Sequence, residues 1–439
     1  MDLLKDNIKK LYTRYLFSAF GSAIICSIYS TVDMICVGQY AGTTGSAALS
    51  LIMPLWSIII SLGLFLGLGG AVNMGVERGR GDEKAAERYF SASLISAAVL
   101  TVILTAALVI FLNPLLRAFG ANDELLPYCA QYAINIAWAT PAFLMGQVLI
   151  AFVRSDGAPG LATASVVTGG VINIFLDVFL VFTCDMGLAG AGLATAIGQY
   201  VGVLILLSYF FMKKCKLRVA KPSGFSGTFK KIAAVGFSPF LVDISFGITV
   251  MFFNKQLMRL LGSDELAIFG VIANVQILMM TMFYGVGQAV SPIASANFGA
   301  GQLKRVKYVL TRALMTALIM GAAFCALAIL LPKQITGLYM DASADVLALT
   351  PAIYLKHSPA FLFMGIGIVA SYYLQSVLQT GRSLVISLMR GLGLTTVMIF
   401  ALPAIFGADA IWFAYSLTEL ITAVVAIVFI LRDKDVIRA

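Results

Sequence analysis

The chain reads as an all-α integral membrane protein of twelve transmembrane helices in two pseudo-symmetric six-helix lobes, and three observations predict it. First, 60% of its 439 residues are hydrophobic and only 12% are charged, with a mean hydropathy of +0.95, which excludes a soluble globular domain. Second, the apolar runs are long and unbroken. A hydrocarbon core about 30 Å thick needs roughly 20 apolar residues per helical crossing, whereas open sheets cannot satisfy their backbone in lipid and barrel strands are short and alternating. Third, Lys and Arg fall in the short breaks between these runs, and they fall unequally on alternate breaks.

The spans follow in order. The first, 15–38, succeeds a basic stretch ending at Arg14; it is too long for a signal peptide and lacks an A-x-A site, so it is expected to be a retained helix. Span two, 47–76, is separated from span three, 90–112, by Gly79-Arg80-Gly81. Span four, 128–153, is followed by Pro159 and span five, 161–183; span six, 188–212, carries Gly190 and Gly192 near its start. After the longest loop come 232–256, with Pro239 inside it, and 266–291, then a break at Gly299-Ala300-Gly301. Spans 308–331, 350–378, 383–405 and 409–431 complete the twelve.

The N-terminus, the even-to-odd loops and the C-terminus carry 24 of the 30 basic residues; the opposite loops carry Arg117, Lys255, Arg259, Lys333 and Lys356, and Arg390 lies inside a span. This bias predicts that both termini are cytoplasmic. It also explains the net charge of +9 without nucleic acid. The loop Lys213 to Lys231 divides the chain into an N-lobe (1–214), a linker (215–231) and a C-lobe (232–439). At an offset of 220, Ser18 matches Ser238, Gly79 and Gly81 match Gly299 and Gly301, and Lys84 matches Lys304. Six spans per half insert in the same orientation, so the repeats are expected to be parallel, about an axis along the membrane normal, as in alternating-access transporters.

Two acids lie deep in separate spans, at a cost of a few kcal/mol each on insertion scales. Asp33 sits about 9 Å short of the outer end of span one, and Asp177 at a similar depth in span five. Asn173 precedes Asp177 by four residues and shares its helix face. Thr195 lies about 10 Å into span six. Asp33, Asn173, Asp177 and Thr195 therefore reach one level. Two carboxylates with amide and hydroxyl oxygens form a hard-oxygen set suited to Na⁺ or to a shared proton. The bland reading, in which each acid separately caps a neighbour, does not account for the common depth.

In the second half, Asp243 follows Pro239 by four residues in the middle of a span and has no evident partner, making it a candidate substrate or proton site. Arg390 and Glu419 lie at depths that allow a buried ion pair, read as structural. His357, the single histidine, is read as interfacial. The six cysteines have no metal spacing and read as small core residues. Met279, Met280, Met282, Phe283 and Tyr284, with Met251, Phe252 and Phe253, form a soft group of which about half must face outward. Glycine pairs such as Gly169-Gly170 are helix close-packing sites, and no GxxxxGK[ST] is present, so no ATP site is expected.

Several segments together resemble one family. Val32-Asp33-Met34 with Val37-Gly38, Asn173-Ile-Phe-Leu-Asp177 and Gly190-Ala-Gly-Leu-Ala-Thr195 are similar to MATE (multidrug and toxic compound extrusion) transporters. Gln288-Ala-Val-Ser-Pro292 with Asn297-Phe-Gly299-Ala, Arg154-Ser-Asp-Gly157-Ala-Pro159 and Leu378-Gln-Thr-Gly381-Arg continue the likeness, nearest the bacterial MepA-like and DinF-like branch. The resemblance implies proton- or sodium-coupled export of amphipathic, cationic small molecules by a monomer in the lipid bilayer. It implies no enzymatic step and no cofactor other than the coupling ion. The family's cation or proton site maps onto Asp33, Asn173, Asp177 and Thr195. Two departures stand out: Ser18 and Ala19 replace an early proline of the first helix, and span ten has no acid, so a NorM-type C-lobe cation site is not expected. The alternative is a lipid-linked oligosaccharide or polysaccharide flippase, which would call for basic residues facing the cleft.

Overall fold

The computed structural model describes residues 1–221, 224–340 and 343–433. Among them there is no strand, and eleven helices are long and apolar enough to cross a membrane. The first, α1 (Ile8–Gly79), has 72 residues, about 110 Å of helix at 1.5 Å per residue and several times the thickness of a hydrocarbon core. It breaks at Gly42, where φ is 60° and ψ is −143°, a conformation open to glycine because it has no Cβ to collide with the backbone. Helix α1 therefore crosses twice, and the crossings total twelve.

The remaining helices are α2 (Glu83–Ile110), the short α3 (Leu112–Ala118), α4 (Leu126–Ser155), α5 (Pro159–Val178), α6 (Gly187–Leu207), α7 (Phe225–Leu260), α8 (Ser263–Gly299), α9 (Leu303–Leu330) and the short α10 (Pro332–Tyr339). Then α11 (Ala344–His357) and α12 (Pro359–Ser376) share one crossing, α13 (Thr380–Arg390) and α14 (Gly393–Phe406) another, and α15 (Ala414–Leu431) makes the last. Pro359 lacks the N–H that would continue α11 into α12.

The internal repeat is visible in backbone detail. Helices α2 and α9 both have 28 residues and begin 220 positions apart. The turn before α2 is closed by Gly81 N–H donating to Arg78 O at 3.0 Å and Asp82 N–H to Glu77 O at 2.9 Å. The turn before α9 repeats this with Gly301 to Phe298 at 3.0 Å and Gln302 to Asn297 at 2.8 Å. Both are Schellman closures, with φ of 84° at Gly81 and 69° at Gly301.

The chain divides into two compact units, Met1–Phe240 and Leu241–Ala439. In the first, one apolar cluster gathers Val37, Ile52, Ile136 and Val181 and another Leu66, Phe90, Leu149 and Phe152. Lipid tails are as apolar as these side chains, so close fit rather than escape from water holds them; the rings of Phe90 and Phe152 meet edge to face at 5.0 Å. The turn between α4 and α5 is a polar hub. Asp156 pairs with Arg78 and accepts from the Tyr209 hydroxyl at 2.7 Å and the Lys216 N–H at 2.9 Å. The Tyr15 hydroxyl donates to Arg154 O at 2.7 Å.

In the second unit, Phe253 stacks on Phe269 at 4.2 Å, beside Trp412 and Tyr415. Of the soft group, Met279, Met280, Phe283 and Phe253 are buried and Met251 is exposed. Cysteines depart from the expected core role in part: Cys36 and Cys129 are buried, Cys184 is exposed, and the rest are half-buried.

Candidate functional site

The site begins with two glycines. A Cβ at Gly169 of α5 would lie 2.5 Å from Gly198 O, and one at Gly198 of α6 would lie 2.6 Å from Gly169 O. The helices therefore touch backbone to backbone at this level, as small residues allow. Asn173 and Asp177 follow Gly169 at four and eight residues, on the same face of α5. The contact places Asn173 Nδ2 3.2 Å from Thr195 Oγ1 of α6, and Asn173 Nδ2 lies 3.4 Å from Asp177 Oδ1. Directly after Asp177 the helix widens into a π turn, Phe179–Thr183, a distortion that recurs at functional positions.

Asp33 comes from the first crossing of α1. Its Oδ2 accepts a hydrogen bond from the Tyr132 hydroxyl of α4 at 2.8 Å. The Asp33 and Asp177 carboxylates lie within electrostatic range of each other. Asp33, Tyr132 and Thr195 border a cavity of about 170 Å³, with Tyr29, Ile52 and Trp56. Asp177 is 0% exposed and Asp33 is 9%.

The notable property of this group is what it leaves over. Asp33 Oδ1, Asp177 Oδ2 and Asn173 Oδ1 are buried with no hydrogen-bond donor. A buried acceptor without a partner costs about 1–3 kcal/mol, and more for a charged one. Three such oxygens in one group form an acceptor set whose natural complement is a cation or a proton. Among the described residues no cluster of three or more His, Cys, Asp or Glu could hold a metal ion, so any sodium here would draw on the amide and hydroxyl oxygens as well as the two acids.

Thus Asn173, Asp177 and Thr195 are in direct contact, and Asp33 joins them from the facing helix. Tyr132 was missed. It lies one turn inside the outer end of its span, at nearly the depth used to group the other four, and applying the depth criterion to hydroxyls of span four would have found it.

In the second unit Arg390 and Glu419 form a forked ion pair, with Arg390 Nη2 2.9 Å from Glu419 Oε1 and Nε 3.0 Å from Oε2. Both side chains are about 5% exposed. Asp243 is half-buried in α7, and it does not stand alone as its sequence context suggested: it lies in electrostatic range of the Tyr284 hydroxyl, as does Arg390. His357 is enclosed by protein. It is buried among Phe269, Phe361 and Tyr415, and neither ring nitrogen makes a hydrogen bond.

Twelve apolar crossings with an internal repeat and an intramembrane polar site define a multi-pass membrane transporter. The chain belongs to the MatE family, which matches residues 19–179 and 236–405, and members of this family are transporters, not enzymes. It is 24% identical over 436 residues to the multidrug export protein MepA of Staphylococcus saprophyticus, covering 98% of this chain and 95% of that protein. It is 25% identical over 440 residues to MepA of Staphylococcus aureus, with the same coverage. Its fold matches an outward-facing multidrug resistance MATE family transporter of the MOP superfamily with a TM-score of 0.91 at 22% identity, over 100% of this chain and 98% of that one. A MOP superfamily transporter from Pyrococcus furiosus, described as having a binding pocket of reverse polarity that suggests a different function, matches with a TM-score of 0.90 at 21% identity, over 97% and 96%.

Proposed function

We propose that the chain is a multidrug efflux antiporter that exchanges a coupling cation, H⁺ or Na⁺, for amphipathic cationic compounds across a bacterial inner membrane. The observation that carries this is the set of three buried, unpartnered oxygens on Asp33, Asn173 and Asp177. These residues with Thr195 would hold the ion; Tyr132 orients Asp33 by its hydrogen bond. The multidrug export named for the MepA relatives supports the cargo class. The intramembrane acids Asp33, Asp177 and Asp243 favour positively charged cargo.

Exchange requires that ion and drug favour different states of the protein, since a ligand shifts an equilibrium only by its differential affinity. The ion entering from outside neutralises the Asp33/Asp177 pair and favours drug release outward; drug bound from the cytoplasm favours ion release inward, with Asp243 as a drug-facing acid. The test is reconstitution in proteoliposomes under imposed Na⁺ or proton gradients. Asp33→Asn and Asp177→Asn are each expected to abolish gradient-driven efflux at unchanged membrane levels of protein. Normal transport by both variants would overturn the reading, and the gradient that drives the unmodified protein names the ion.

A further inference from the structure

The first crossing of α1 carries a polar stripe along its inward side, beside the buried small residues Ala19 and Ala23. Tyr15, Ser18, Ser22, Cys26, Tyr29 and Asp33 recur at spacings of three and four, which stacks them on one side of the helix. The opposite side presents Phe17, Ile24, Ile28 and Ile35, all exposed and suited to lipid. Close packing in a bilayer asks only for small residues on the inner face. Here nearly every turn adds a hydroxyl, a thiol or a carboxyl to those small residues.

These groups reach across to the neighbouring helices. Ser18 Oγ donates to Pro159 O at 2.8 Å and is hydrogen-bonded to Thr163 Oγ1. Ser22 Oγ lies 3.4 Å from Thr163 Oγ1. Tyr29 interacts with Cys26 on its own helix and with Gln199 of α6. Two cavities follow the same line. One contains Asp33. The second, of about 60 Å³, is bordered by Cys26, Gln147, Ser165 and Gln199 and by the glycines at the α5–α6 contact. Tyr29 is in the wall of both.

We infer that Tyr29 partitions the cation site from an inner polar route. That route descends the face of α1 past Cys26, Gln199 and Ser22 to Thr163, Ser18 and the start of α5, and carries the coupling ion to the side of the N-terminus. The inference rests on the reading of Asp33 as the coupling site. It adds that ion release has its own path inside the first unit, separate from the path of the drug. Without such a path, a cation leaving Asp33 would cross apolar packing, at a cost of several kcal/mol; oxygens spaced one helical turn apart, about 5.4 Å, replace its lost ligands stepwise.

The test uses the full chain in proteoliposomes with ethidium as the drug and Na⁺ and proton gradients as the drive. Two quantities are read: gradient-driven turnover, and the effect of the ion on ethidium affinity at equilibrium. Ser22→Val and Gln199→Leu are expected to lower turnover at least tenfold while the ion still shifts ethidium affinity. Ser22→Thr, which differs from Ser22→Val by one hydroxyl, is expected to retain turnover. Tyr29→Phe is expected to slow turnover as well. Turnover like that of the unmodified protein in both Ser22→Val and Gln199→Leu would overturn the route. So would joint loss of turnover and of the equilibrium effect in well-folded variants, because it would place these residues in the ion site itself. Should Ser22→Val fail to fold, Gln199→Leu decides alone. Failure of the underlying reading shows separately, as an ion effect on ethidium affinity that survives Asp33→Asn.

Discussion

Arg390 and Glu419 show how burial sets the role of a charged pair. The two side chains are about 5% exposed and share three hydrogen bonds, so removing one leaves the other charged and unpaired. Arg390→Met is expected to destabilise the protein by about 3–5 kcal/mol, whereas Arg390→Met with Glu419→Leu recovers most of that loss. Thermal unfolding in detergent measures both. Retained efflux by the double variant assigns the pair a structural role, and loss of efflux with restored stability assigns it to transport. At Asp33 the balance differs, because one oxygen is bonded to Tyr132 and the other has no donor. Tyr132→Phe leaves a second buried oxygen without a partner and is expected to cost about 1–3 kcal/mol and to weaken ion-driven efflux at least tenfold in the same vesicle assay.

Among the elements, the contact of α5 and α6 positions the site. Because a Cβ at Gly198 would fall 2.6 Å from Gly169 O, Gly198→Ala must push the helices apart and lengthen the bond between Asn173 and Thr195. Efflux is expected to fall sharply in this variant. Gly270→Ala is the matched control. A Cβ at Gly270 meets nothing within 4 Å, and alanine in a helix interior stabilises by about 0.5–1 kcal/mol, so efflux should be unchanged and the melting temperature equal or slightly higher. Equal loss of efflux in both variants would remove the contact from the explanation of the site.

For the whole molecule, the crossing count depends on Gly42. If α1 were one crossing, eleven spans would place the termini on opposite sides of the membrane; the break at Gly42 gives twelve, which predicts that they lie on one side. Reporters fused at the N-terminus, in the loop 213–221 and at the C-terminus are expected to report the cytoplasm, and one at Gly120 the outside. A C-terminus on the opposite side from the N-terminus would contradict both the count and the distribution of Lys and Arg.

Sequence alone determined the fold class, the twelve crossings and the four residues Asp33, Asn173, Asp177 and Thr195 as a group. All of these follow from one-dimensional quantities: the length an apolar run must have to cross lipid, the side on which basic loops stay, and the rise of a helix per residue. The offset of 220 was legible for the same reason, since a repeated turn repeats its glycines. Tertiary structure decided what depth alone cannot, namely which side chains at one level face each other. It brought Tyr132 to Asp33, gave Asp243 a neighbour in Tyr284 and buried His357 among aromatic rings. It also joined the polar face of α1 to two cavities that meet at Tyr29. Depth is a sum along one helix, whereas facing depends on the rotation and approach of two, set by contacts such as Gly169 against Gly198 between residues far apart in the chain.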